Sequence, residues 1–127
     1  MYHGIILDLA FIDSRFPERF HVFAKRRSAT EAWWLIGVEV SDSGIESVIK
    51  EIQTNLREGQ PFYVHFYNDS ELIVIFKEKV FKVAPHRTTW AAVIEFGKSL
   101  GIPEVQLDFW PNRFQDETHY FSSGDFV

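Results

Sequence analysis

Apolar and polar positions along this chain repeat with two different periods, and each change of period marks an element. Ile45, Val48, Ile49, Ile52 and Leu56 recur at helical spacing. Ser43-Gly44-Ile45-Glu46 stands before them as a capping box and Gly59 with Pro61 follows, so a first helix is predicted between those signals. Trp90, Val93, Ile94, Gly97 and Leu100 form a second stripe of this kind, with Thr88 or Thr89 as its cap and Gly101-Ile102-Pro103 as its end. Around the helices the period drops to two and the composition turns β-branched and aromatic. Strands are predicted at Trp33 to Val40, Phe62 to Tyr67, Leu72 to Phe76 and Val105 to Trp110. Asn68-Asp69-Ser70-Glu71 has the short polar character of a tight turn between the middle two.

The resulting order over residues 33–110 is strand, helix, strand, strand, helix, strand. It resembles the ferredoxin-like β-α-β-β-α-β core, an α+β class. That resemblance implies an antiparallel sheet with both helices on one face. Tyr2 to Ile12 and Phe20 to Lys25 read as two further strands joined around Pro17, and Lys25-Arg26-Arg27 reads as a basic turn. The chain is thus expected to be a single domain: an N-terminal strand extension (1–32), a ferredoxin-like core (33–110) and a tail (111–127). Phe76 to Val83 fits either one long bulged strand or a second hairpin. In the tail, Phe114, Tyr120, Phe121 and Phe126 allow either loose order or docking through aromatic rings.

A length of 127 residues with 46% hydrophobic content supports one core of domain size. Thirteen Lys and Arg against eighteen Asp and Glu leave a formal charge of -5, which repels a polyphosphate, so no nucleic-acid partner is expected. The chain has no cysteine, which excludes disulfides, thiolate-held metals and a cysteine nucleophile and fits a cytoplasmic setting. No stretch approaches the roughly 18 apolar residues of a membrane helix, and no membrane partner is expected. The five histidines share no metal-ligand spacing and no G-x-S-x-G elbow occurs, so neither a metal, nor another cofactor, nor a hydrolase triad is expected.

Candidate chemistry follows from alternation across the predicted hairpin. Phe62, Val64 and Phe66 share a face with Ile73 and Ile75, which should meet the helices. The reverse face then carries Tyr63, His65, Tyr67, Leu72, Val74 and Phe76, and can receive Trp33, Leu35, Asp108 and Trp110. So aromatic a face is either an exposed contact surface, a ligand site or ordinary core beneath another segment. Tyr63, His65, Tyr67, Phe76 and Trp110 are the expected ligand-binding residues. His65 among tyrosines is a candidate acid or base with Asp108 as its orienting partner, against the plainer reading of a half-buried packing residue. The turn His86-Arg87-Thr88-Thr89 enters the second helix and is a candidate anion site, against the plainer reading of a cap beside a solvated arginine.

No activity is specified by these features alone. Our leading expectation is a small non-catalytic binding or regulatory domain, a homo-oligomer associating through the aromatic face or a sheet edge and able to take a small molecule. The alternative is a small enzyme with His65 or Asp108 as acid or base in an aromatic pocket.

Overall fold

Six strands pair into one antiparallel sheet in the computed structural model, which describes residues 1–30 and 32–127. They are β1 (Tyr2–Leu7), β2 (His21–Arg27), β3 (Trp34–Val40), β4 (Tyr63–Tyr67), β5 (Leu72–Phe76) and β6 (Val80–Val83). Their order across the sheet is β2-β3-β1-β4-β5-β6. Helix α1 (Ile45–Asn55) connects β3 to β4, α2 (Ala91–Ser99) follows β6, and the short α3 (Glu117–Tyr120) lies in the C-terminal stretch. The protein is therefore α+β, as expected.

The ferredoxin-like arrangement is not what the strand order shows. Both β3 and β4 pair antiparallel with β1, so they run parallel to each other with β1 between them. In the expected core that middle place belongs to the hairpin partner, Leu72 to Phe76. Here the N-terminal strand occupies it and β5 moves outward. The physical reason is burial: Gly4, Ile5 and Ile6 of β1 are buried on both faces, which suits a central strand and not a sheet extension.

The second correction concerns Val105 to Trp110. These residues form a 3-10 turn (Glu104–Gln106) and then an irregular segment, not a strand. Alternation is present but incomplete, since Leu107 and Phe109 are buried while Val105 is 84% exposed. Phe109 takes a φ of +48°, which breaks an extended path. Such a backbone costs about 1–3 kcal/mol. Full burial of a phenylalanine offsets about 1.5–3 kcal/mol of that, and the edge-to-face ring contacts of Phe109 with Trp90 and Tyr63 add to it.

The third correction follows from the second: the helices lie on opposite faces. α1 packs Ile45, Val48, Ile49 and Ile52 on the side of Val64, Phe66, Ile73 and Ile75. α2 packs Trp90 and Val93, together with Leu107, Phe109 and Phe121, on the side of Leu72, Val74 and Phe76. The alternation read from the hairpin thus has the expected register, with Phe66 opposite Ile73 and Val64 opposite Ile75, but both faces are core.

Local signals are met with small shifts. The oxygen of Ser41, not Ser43, accepts from the Gly44 amide at 3.2 Å and caps a 3-10 turn that leads into α1. Thr89 does not cap α2; its hydroxyl donates to the carbonyl oxygen of His86 at 2.7 Å, and Trp90 holds the cap position. α2 ends in a Schellman closure, Ile102 N–H to Gly97 and Gly101 N–H to Lys98, with Gly101 at φ +89°. Leu100, read as part of the stripe, is 38% exposed. Phe76 to Val83 resolves as a hairpin of β5 and β6, and the basic triplet continues β2 to Arg27.

Gly4 leaves room for the Phe66 ring, because a Cβ there would lie 2.4 Å from two of its carbons. Phe66 is fully buried and cannot retreat. Gly4→Ala should therefore cost about 1–3 kcal/mol in denaturant unfolding, and the cost should shrink in a Phe66→Leu background. Equal costs in the two backgrounds would rule out that contact as the cause.

Candidate functional site

Cover is uneven over the aromatic face. It is complete above β5 and partial above β6, where α2 seats Phe96 on Phe76 and Phe81 with ring centroids 4.9 and 5.6 Å apart. Over β1, β3 and β4 a cleft of about 590 Å³ remains. Its floor is a contiguous patch set by register: Leu7 opposite Leu35, Ile5 opposite His65, and Tyr63 two residues along β4. One wall is the connection from β2 to β3, with Ser28, Thr30 and Trp33, and another is Gln60, Pro61 and Phe62 before β4. The irregular segment supplies Gln106, Asp108, Phe109 and Trp110, and Tyr120 adds a further ring.

The structure thus brings Tyr63, His65, Asp108 and Trp110 to one cleft, together with Trp33 and Leu35. The residues 105–110 arrive there as a covering strip and not as strand neighbours. Phe76 is fully buried beneath α2, and Tyr67, also fully buried, serves a different cluster. Outside the cleft, the face expected to mediate self-association is packed under the chain's own α2 and C-terminal residues. Ile5 and Leu7 went unrecognised because β1 was read as peripheral. Gln60 and Gln106 carry no sequence signal that distinguishes them from loop residues, while Tyr120 was legible only as one of the tail aromatics able to dock.

His65 is buried, and its Nε2 lies 2.8 Å from the carbonyl oxygen of Pro111. A carbonyl only accepts, so Nε2 carries the proton and the neutral ring keeps its lone pair on Nδ1. Burial pushes the imidazole down to about 4, only partly opposed by the Pro111 bond, so the ring is neutral at physiological pH. Asp108 is not its partner: among the described residues no hydrogen bond or ion pair joins the two. The Tyr63 hydroxyl donates to the Gln106 carbonyl and so ties the cleft wall to β4. Burial, reinforced by the charge of Asp108, pushes that hydroxyl above its ordinary value.

A second polar group, not anticipated, spans from β1 to α3. The buried Glu117 accepts from the Tyr67 hydroxyl at 2.5 Å and from His3 Nδ1 at 2.6 Å. His3 Nε2 faces Glu39 at 3.6 Å, and the other oxygen of Glu39 lies 3.8 Å from His21 Nε2. Burial, then the bond to Glu117, raises the Tyr67 hydroxyl strongly. The separation of 114 residues between His3 and Glu117 leaves no local pattern to read. This cluster pins α3 onto the sheet.

The turn Arg87–Thr89 sits apart from both groups. His86, Arg87, Thr88 and Thr89 are exposed, Arg87 faces Glu104 at 3.7 Å, and the Thr89 hydroxyl is engaged by its own turn. No group of three or more His, Asp or Glu among the described residues is arranged to hold a metal ion. No helix among them is long and apolar enough to cross a membrane. Comparison with known proteins adds no relative: no family model matches the chain, and no curated protein or solved structure does either.

Two expectations follow. Between pH 6.5 and 4 an unfolded His65 binds a proton that the native ring refuses, so its contribution to stability is complete above 6.5 and is lost as pH falls through that window. Its size is about 3 kcal/mol, and His65→Gln, which keeps a donor for Pro111, should flatten the pH dependence of unfolding over that range; an unchanged slope would contradict the buried neutral ring. Glu117→Ala should cost about 2–4 kcal/mol and speed proteolysis beyond Arg113. In a double-mutant cycle Tyr67→Phe should recover part of the loss, and strict additivity would show that the two groups are not coupled.

Proposed function

We propose that this protein is a non-catalytic binding module whose cleft over β1, β3 and β4 takes a small planar molecule. The observation that carries this reading is the cleft's composition. Rings of Trp33, Tyr63, Phe109, Trp110 and Tyr120 surround a floor of aliphatic side chains with a few polar groups between them. A volume of about 590 Å³ lies in the range of small-molecule pockets, and aromatic walls with sparse polar anchors are their usual chemistry. Trp110 is 39% exposed at the rim although its neighbours Phe109 and Pro111 are buried. An exposed indole beside a partly apolar cleft fits a ligand contact better than a packing role.

The chemistry of His65 favours binding over catalysis. A ring pushed down to about 4 is a weak base, and at neutral pH it has no proton to give as an acid beyond the one bound to Pro111. Its Nδ1 lone pair is instead a fixed acceptor. Without a His65–Asp108 pair, the enzymatic alternative lacks its orienting contact.

Planar aromatic fragments should raise the melting temperature and quench tryptophan emission, since two of the four tryptophans line the cleft. A fragment at a hundred times its Kd should add about 2.7 kcal/mol. Trp110→Ala should weaken these responses without unfolding the protein. A library of such fragments producing no shift, or shifts indifferent to Trp110→Ala, would end this reading.

A further inference from the structure

The charge and donor pattern of the cleft points to a class of ligand. We infer that the cleft selects a flat aromatic molecule bearing a protonated amine, with Asp108 as the counterion and the aromatic rims as its stacking surface. This inference rests on the binding reading above and narrows it.

Asp108 is the one ionised side chain among the described residues that line the cleft. No hydrogen bond or ion pair engages its carboxylate among those residues, and it is exposed to the cleft's solvent. The other charged groups of the region are committed elsewhere. Arg26, the cation nearest to Tyr120, donates to the Tyr120 carbonyl at 2.7 Å and lies 4.7 Å from the centre of that ring. Arg27 sits over Trp34, which is not part of the cleft. An anionic ligand would therefore meet an unpaired carboxylate with no lining cation to offset it, whereas a cation meets a free acceptor.

The polar groups at the floor act in the same sense. His65 keeps an acceptor lone pair on Nδ1, and its proton is held by Pro111. The Tyr63 hydroxyl is spent on the Gln106 carbonyl and is not free to donate. The Gln60 and Gln106 amides and the Thr30 hydroxyl on the walls can serve in either direction, while the indole N–H groups of Trp33 and Trp110 only donate. The acceptors at His65 and Asp108 call for a ligand that donates, and the charge of Asp108 calls for a cationic donor. Trp33 and Trp110 line the same cleft, and an indole ring attracts a cation to its face.

The experiment uses the full chain and matched triplets on indole and naphthalene scaffolds, each triplet offering an ethylamine, a methyl and an acetate substituent. Binding is read by calorimetry at low salt and neutral pH. The amine should bind about tenfold more tightly than the neutral compound, with the acetate weakest. Asp108→Asn should erase the amine's advantage, bringing the ratio of amine to neutral affinity to about one. Because Asp108 has no structural bond, the variant should keep the wild-type melting temperature, and this is checked in parallel; loss of folding in the variant would itself contradict a free carboxylate. Equal affinity across a triplet, or an amine preference that survives Asp108→Asn, would overturn the inference and leave the binding module standing. No binding by any compound, neutral ones included, would bring down the module as well.

Discussion

Burial of both faces of the sheet is the constraint on which the rest of this structure depends. A sheet with one apolar face needs one cover, but β1, β4 and β5 carry apolar or aromatic side chains on both sides. Helix α1 covers only one. The other must be supplied by whatever follows β6, and that demand governs the C-terminal third of the chain. It draws α2 to the reverse face, turns residues 107–110 into a packing strip, and docks Phe121 as core.

The same constraint places the cleft. A single helix of nine residues and an irregular strip cannot cover six strands evenly. Cover is dense over the β5–β6 side, where rings interlock, and thins over β1 and β3. The cleft is the gap between two partial covers, which explains why its floor is regular strand and its walls are loops. Regular backbone fixes the positions of His65, Ile5 and Leu35 to the precision of a hydrogen-bonded ladder. Irregular backbone brings Asp108 and Trp110 over them, held by the buried Leu107 and Phe109 on alternate positions.

Two kinds of polar anchoring keep the cover in place. At one end the Tyr63 hydroxyl holds the Gln106 backbone and His65 holds Pro111, so both strand residues grip the strip that overlies them. At the other end Glu117 ties α3 to His3 and Tyr67. A buried carboxylate with two donors is far cheaper than an unpaired one, and losing either donor exposes that difference. The cleft and the anchors are therefore parts of a single device, since the residues that line the floor also secure the walls.

The sequence by itself determined what depends on neighbours in the chain. Both long helices, the strands at Trp34–Val40, Tyr63–Tyr67 and Leu72–Phe76, the Asn68 to Glu71 turn and the facing of the hairpin residues were legible, because period and capping are local properties. Convergence of Tyr63, His65, Asp108 and Trp110 on one side was readable in part, from alternation alone. Tertiary structure decided three things: that β1 and not β5 lies between β3 and β4, that Leu107 and Phe109 pack as a cover instead of a strand, and that the helices take opposite faces. Alternating apolar residues serve equally well in a paired strand or in an extended strip lying on a sheet, so local pattern does not distinguish them. Competition among segments for two apolar faces does, and that competition exists only once the chain is assembled.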